Sequence, residues 1–203
     1  MRKSLILTCV LAFCYGAAAG QVKEYDCLVL QVRSEVMVQG SANIGGFKCF
    51  TSPLSPAEPL PSCFERTQEF IRITDVQFDI PVREFNCGNP LILSDLKDVL
   101  EVEDYPNITF ELKELLAEDV SGLYFQGEVK ATTTVRGRKH NITIPIEVDF
   151  LNNQEYKVAG QTTIRLSWYG IEQPTRMFGL LKLDDEVSVC FDLYFRKEKT
   201  PAQ

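Results

Sequence analysis

The chain has a single histidine, His140, in 203 residues. It stands in the polar run Arg138-Lys139-His140-Asn141, which is typical of a solvent-exposed turn. A nucleophilic serine or cysteine needs an adjacent base held by a third group, and a turn histidine beside two cations is badly placed for that role. The cysteines after residue 20 also lack zinc-ligand spacing. The sequence therefore argues against nucleophilic catalysis and against a metal site, and it predicts no cofactor.

A glycine-rich phosphate loop, a dinucleotide fingerprint and an excess of basic residues are also missing. The chain carries 21 Lys and Arg against 28 Asp and Glu, which gives a net charge of −7. Proteins that bind nucleic acid neutralise phosphate with basic patches, so the composition argues against nucleic acid as a partner. The acidic run Asp184-Asp185-Glu186 supplies paired carboxylates of the kind that glycosidases use. Its place between two apolar runs favours a solvated hairpin tip, and an enzyme of unknown type stays an alternative.

The first residues have the pattern of a secretory signal. A basic start, Met1-Arg2-Lys3, precedes an apolar stretch from Leu5 to Tyr15 and the small residues Ala17-Ala18-Ala19. The stretch is too short to span a bilayer. We therefore predict a removed signal peptide at 1–19 and one domain at 20–203, in a periplasmic or secreted protein. A lipoprotein, with Cys14 as the modified residue, is disfavoured because bulky Phe13 precedes it.

Five cysteines remain in the predicted domain, which in an exported protein form one or two disulfides with at least one thiol left over. Their pairing cannot be read from the sequence. Cys190 falls on the polar parity of its run, which predicts a position on the outer surface. The five are Cys27, Cys49, Cys63, Cys87 and Cys190.

What the chain does contain is a long alternation of apolar and polar residues. It extends from Leu123 to Phe150 and is interrupted at Arg136-Gly137-Arg138, and it resumes toward Trp168 and from Val187 to Phe195. Successive side chains of a strand point to opposite faces, so the pattern predicts a hairpin and further strands with one apolar face. Such a sheet must pack on another sheet or close on itself.

The period changes only once, between Leu91 and Leu100, where apolar residues fall at helical spacing after the plausible cap Ser94-Asp95. The run Ser52 to Ser62 contains four prolines and predicts a loop. About eight antiparallel strands of this length close naturally into a barrel, whereas the rival immunoglobulin-like sandwich has shorter strands. We therefore predict an all-β fold, a single antiparallel eight-stranded barrel with one short helix.

Two further motifs are Tyr105-Pro106-Asn107-Ile108-Thr109-Phe110 and Ser167-Trp168-Tyr169-Gly170-Ile171. They resemble motifs of the YceI-like family of exported lipid-binding proteins, and the first is similar to the family's K-Y-P-x-I-x-F signature. Gly127-Glu128-Val129 and the turn that follows also match in order and spacing. The resemblance covers nearly the whole predicted domain. The proline-rich insert, the extra cysteines and the absence of a histidine near the second strand depart from the family's more familiar branch.

The resemblance implies a lipocalin-like barrel that holds a polyisoprenoid or another long-chain lipid without performing chemistry, and a possible homodimer. An apolar inner face is equally typical of a filled core. A ligand-free barrel that acts as a protein-interaction or stress-response module therefore remains the alternative. Parity and resemblance together predict the lining residues Phe125, Val129, Ile144, Ile146, Val148, Ile164, Leu166 and Trp168, followed by Phe78 and Phe110.

Overall fold

The computed structural model describes residues 27–43, 45–51, 63–66, 71–74, 76–117, 122–172, 175–176 and 181–198. The predicted signal peptide at 1–19 and the proline-rich run at 52–62 lie outside these residues. The strands are β1 (Cys27–Leu30), β2 (Glu35–Ala42), β3 (Gly46–Thr51), β4 (Cys63–Arg66), β5 (Ile71–Thr74), β6 (Val76–Pro81), β7 (Phe85–Asn86), β8 (Asn107–Ala117), β9 (Tyr124–Val135), β10 (Arg138–Asn152), β11 (Glu155–Arg165), β12 (Thr175–Arg176) and β13 (Leu181–Glu198). One α-helix, α1 (Pro90–Val99), and two short 3-10 turns, Val82–Glu84 and Leu166–Tyr169, complete the described elements.

The predicted hairpin is β9 and β10, which pair antiparallel from Val135 with Arg138 to Tyr124 with Asp149. The two residues between the strands, Arg136 and Gly137, both have positive φ angles, of 49° and 69°. Two-residue turns with positive φ at both positions match the right-handed twist of the strands they join. The alternating pattern of the sequence is therefore confirmed as a hairpin with alternate side chains buried.

The strands form one antiparallel sheet in the order β4-β5-β8-β9-β10-β11-β13-β2-β3-β7, with β6 paired to β8 and β1 and β12 paired to β13. The sheet curls into a nearly closed barrel, which confirms the predicted fold class. Within the described residues nine strands contribute to the barrel rather than eight. In the same residues no helix is long and apolar enough to cross a membrane.

The interior of the barrel is divided between two clusters of buried side chains. The first cluster lies on the side of α1 and includes Val36, Val187, Leu166 and Tyr169. The second cluster is built from β8, β9 and β10 and includes Phe125, Val129 and Ile144 among its members. The candidate site lies among the side chains of the first cluster.

A disulfide joins Cys49 of β3 to Cys87, which lies three residues before α1. The pairing left open by the sequence is therefore settled for these two residues. Cys190 is a free thiol on the outward parity of β13 and is partly exposed, as its position in the pattern predicted.

The helix begins earlier than the sequence predicted. The side-chain oxygen of Asn89 accepts a hydrogen bond from the backbone N–H of Leu91 at 2.9 Å, and Pro90 occupies the first turn. Asparagine at the N-cap and proline at the first helical position are both favourable there. Ser94 and Asp95 therefore lie within the helix rather than at its cap.

Candidate functional site

A cavity of about 270 Å³ lies inside the barrel, between α1 and the inner face of the sheet. Strands β2, β8, β9, β11 and β13 supply half of the residues in its wall, on their inward parity. Almost all of the wall is apolar. The described side chains with polar atoms on it are Asp95, Thr133, Thr162 and Tyr169.

Helix α1 closes one side of the cavity with an apolar stripe. Its side chains recur at the three- and four-residue spacing that places them on one helical face. The tether through Cys87 fixes the start of the helix against β3, so the helix is held over the barrel by a covalent bond as well as by packing. The stripe consists of Ile92, Leu96, Val99 and Leu100.

A hydrogen-bond chain forms one polar point of the cavity wall. Thr133 and Tyr169 are 2% and 1% exposed, and their hydroxyl groups are in contact. The Thr133 hydroxyl donates to the backbone oxygen of His140 at 3.2 Å, so its oxygen accepts the proton of Tyr169. Burial raises the pKa of the Tyr169 phenol, because the charged phenolate would lose its hydration.

The 3-10 turn Leu166–Tyr169 decides which side chains reach this point. Residues three apart eclipse one another in a 3-10 helix, so Leu166 and Tyr169 face inward together and are both buried. Gly170 ends the turn with a φ of 64°. This left-handed conformation favours glycine at position 170. The guanidinium of Arg138 lies where a side chain at that position would begin, but it is the movable end of a long side chain.

Trp168 therefore lies outside the barrel, although the sequence predicted it as a lining residue. Its side chain is 36% exposed and stacks on His140, with ring centroids 4.2 Å apart and planes 11° apart. His140 was expected in a solvated turn but belongs to β10, where it is partly buried. Tyr169 takes the inward position that the alternating pattern had given to Trp168.

Three of the predicted lining residues, Phe110, Ile164 and Leu166, lie on the cavity wall. Phe78 stands beside Phe110 on the neighbouring strand, with the two rings stacked 5.1 Å apart, and it packs against the first cluster. Whether these residues contact a ligand remains a prediction.

The other five predicted residues are brought together elsewhere, in the second cluster. Each is at most 7% exposed, and the rings of Phe125 and Phe150 pack 5.9 Å apart at its end. They form a buried core on the far side of the barrel interior from α1, and their contact with a ligand is also untested. They are Phe125, Val129, Ile144, Ile146 and Val148.

The wall residues that come from α1, β2 and β13 were not among those predicted from the sequence. The helical spacing of Ile92, Leu96 and Val99 and the alternation of Val36 with Val38 were visible signals for them. What the pattern could not show was the order of the strands around the barrel, which brings β2 beside β13.

The acidic run at 184–186 is part of β13 rather than a hairpin tip. Asp184 accepts a hydrogen bond from the Ser41 hydroxyl at 2.6 Å. Asp185 accepts from the backbone N–H and the hydroxyl of Ser167, at 2.8 and 2.7 Å. Glu186 pairs with Arg165 at 2.9 Å. Each carboxylate thus has a structural partner on the outer face, and within the described residues no group of three potential ligands could hold a metal ion.

A second, open concavity of about 1400 Å³ crosses the outer face of the sheet from β8 to β2. Its floor includes Met37, Pro145 and Ala159, and the described charged residues along it are all acidic. They are Glu35, Glu128, Glu147 and Asp192. Asp192 is paired with Lys157 at 2.9 Å.

Residues 31–195 match the family profile described as the YceI-like domain. Similar solved structures include a polyisoprenoid binding domain from Saccharophagus degradans implicated in plant cell wall breakdown, with 18% identity and a TM-score of 0.62 over 85% of this chain and 99% of that chain. BcnA from Burkholderia cenocepacia has 18% identity and a TM-score of 0.58, over 81% and 98%. A YCEI protein from Campylobacter jejuni has 16% identity and a TM-score of 0.51, over 68% and 81%. No curated protein sequence matches the chain significantly.

Proposed function

This chain belongs to the YceI-like family, and from that premise we propose that it is an exported, non-catalytic protein that binds a long-chain lipid or isoprenoid inside its barrel. The observation that carries the proposal is the cavity of about 270 Å³ inside the barrel, with its almost wholly apolar wall. The polyisoprenoid binding domain from Saccharophagus degradans has a similar fold. That likeness supports an apolar ligand for the present chain.

The physical basis of binding is the removal of hydrocarbon from water. Each buried methylene contributes about 0.8 kcal/mol, and the rigid barrel wall loses little conformational freedom when a chain enters. The cavity volume of about 270 Å³ lies just below the usual range for ligand sites in proteins, about 300–1000 Å³. Thr162 lines the cavity. Its hydroxyl is suited to a hydroxyl or carbonyl group of the ligand.

Two neighbouring threonines provide a matched test of the binding site. Thr162 lines the cavity, whereas Thr163 points outward from the same strand and is exposed. T162F should fill the cavity and weaken binding of a fatty alcohol or polyprenol by tenfold or more, as measured by calorimetry on delipidated protein. T163F adds the same ring outside and should bind as wild type does. Equal binding by all three proteins would place the ligand elsewhere and contradict the proposal.

Native mass spectrometry gives an independent test. Protein purified from its own host should carry a non-covalent apolar adduct, which T162F should lose and T163F should keep. Repeated adduct-free preparations that also fail to take up added polyprenol would exclude the carrier function.

The absence of catalysis and the export are parts of the same proposal. Reactions of the glycosidase type need two carboxyl groups facing one substrate, whereas Asp184, Asp185 and Glu186 are engaged with Ser41, Ser167 and Arg165 on the outside. The N-terminal pattern supports export. Mass analysis of the protein from its host should show a chain that starts after Ala19 or Gly20. An uncleaved chain in the cytoplasmic fraction would refute that part.

The outer concavity favours a second candidate function, interaction with another protein. Its carboxylates and apolar floor are complementary to a segment that carries both basic and apolar side chains. E128Q/E147Q should then weaken capture of such a partner while ligand uptake by the barrel is unchanged. Pull-down from the native host with wild type and this variant separates the two functions.

A further inference from the structure

The interior of the barrel is not one continuous chamber. Phe110, Val158 and Phe191 pack against both the first and the second cluster, and so lie at the boundary between the cavity side and the packed side. We call these three residues the partition layer. Phe110 also lines the cavity itself, so it is the member of the layer that borders the empty space, and Val158 and Phe191 pack behind the cavity wall.

We propose that the partition layer sets the length of hydrocarbon that the barrel accepts. This inference rests on the proposed function and adds a size limit to it: the buried part of the ligand ends at Phe110 and Phe191. Methylenes beyond that point would have to displace packed side chains or stay in water. The ligand class that fits is then an amphiphile of which only a limited segment is buried.

Phe110 is held in place by its neighbour on the adjoining strand. Its ring is stacked on that of Phe78 with the planes 6° apart and the centroids 5.1 Å apart. The two residues are direct partners in the β6–β8 register. A ring supported in this way cannot rotate aside without losing its stacking partner, so it resists an advancing chain.

Phe191 is held by a gap in the neighbouring strand. Gly160 is its partner in the β11–β13 register, and a Cβ atom at position 160 would lie 2.4 Å from Cζ of the Phe191 ring. The ring therefore occupies the space that a side chain at 160 would fill. Glycine at this position is what allows the phenylalanine ring to lie over the neighbouring strand.

The test is a chain-length series on delipidated protein. We would measure calorimetric affinities for straight-chain primary alcohols of about six to eighteen carbons, where each buried methylene should raise affinity about fourfold. Wild type should show this rise and then a plateau. F110A and F191A should move the plateau to longer chains by two or more carbons. F191L, which keeps an apolar side chain, supplies a further measurement should an alanine variant fail to fold.

F150A is the matched control, because Phe150 is an inward ring that packs against the second cluster and not against the first. It deletes the same ring and should leave the plateau where wild type has it. A wild-type affinity that keeps rising through the longest alcohol, or a plateau that F110A, F191A and F191L leave unchanged, overturns the size limit while the binding function stands. A wild type that binds neither these alcohols nor a polyprenol overturns the proposed function itself.

Discussion

Removal of the disulfide Cys49–Cys87 should destabilise the barrel strongly. The bond closes a loop with a sequence separation of 38 residues. The entropy that such a cross-link removes from the unfolded chain corresponds to about 4 kcal/mol at 25 °C, within the usual range of about 2–5 kcal/mol for native disulfides. The double variant C49A/C87A should lose about this amount of unfolding free energy.

Urea unfolding followed by circular dichroism measures this loss. With an m-value of about 2 kcal/mol per molar urea, the midpoint of C49A/C87A should fall by about 2 M. The control is C190A, which removes a free, partly exposed thiol and should change stability by no more than about 0.5 kcal/mol. Substitution is preferable to a reducing agent because the chain contains other cysteines.

The region that loses stability shows whether the disulfide anchors α1 or stabilises the whole barrel evenly. Because Cys87 lies just before α1, amide exchange in Pro90–Val99 should rise more in C49A/C87A than exchange in the β9–β10 hairpin. A midpoint within about 0.3 M of wild type, or equal exchange in both regions, would refute the account of the bond as the anchor of the helix.

Three further outcomes follow from individual side chains. Y169F leaves the Thr133 hydroxyl without its donor and should lower the free energy of unfolding in urea by about 1–2 kcal/mol. Because the pKa of Tyr169 is raised in the folded state, the phenol of the unfolded chain ionises first, and wild-type stability should fall above about pH 10. Y169F should lack the part of this fall that Tyr169 causes. I144A should cost about 2–5 kcal/mol because it opens a void in the second cluster, whereas T143A, on the exposed side of the same strand, should stay within about 0.5 kcal/mol. Hydrogen bonds from Lys113 and Lys139 lower the pKa of the Glu111 carboxyl below the ordinary 4.5. The contribution of Glu111 to folding stability is therefore present above pH 4.5 and is lost as the pH falls through the folded pKa. An NMR titration that gives a pKa of 4.5 or more for Glu111 would contradict these contacts.

The hairpin was predictable from the sequence because its cause is local. Alternation at period two requires only that one face be buried, and the Arg136-Gly137 turn accepts positive φ. The fold class followed from the length of the strands. The hairpin and the fold class depend on residues that are close together in the chain, so they can be predicted from the sequence.

The site was only partly predictable, because alternation reports that a side chain is buried and not what fills the space beside it. Ile144 and Ile164 have the same pattern, yet one packs in the second cluster and the other borders the cavity. That Tyr169 faces inward in place of Trp168 has a different cause. The strand ends at Arg165, and a 3-10 turn repeats every three residues rather than every two.

Strand β13 has a consequence for the order in which the molecule can be assembled. It is the last described element of the chain, and it pairs with β1, β2, β11 and β12. Val189 pairs with Val38 from the opposite end of the sequence, and contacts so distant in sequence make folding slow. We therefore expect that the barrel cannot close before β13 has been synthesised. A chain cut before Leu181 should stay unfolded rather than fold into a smaller barrel.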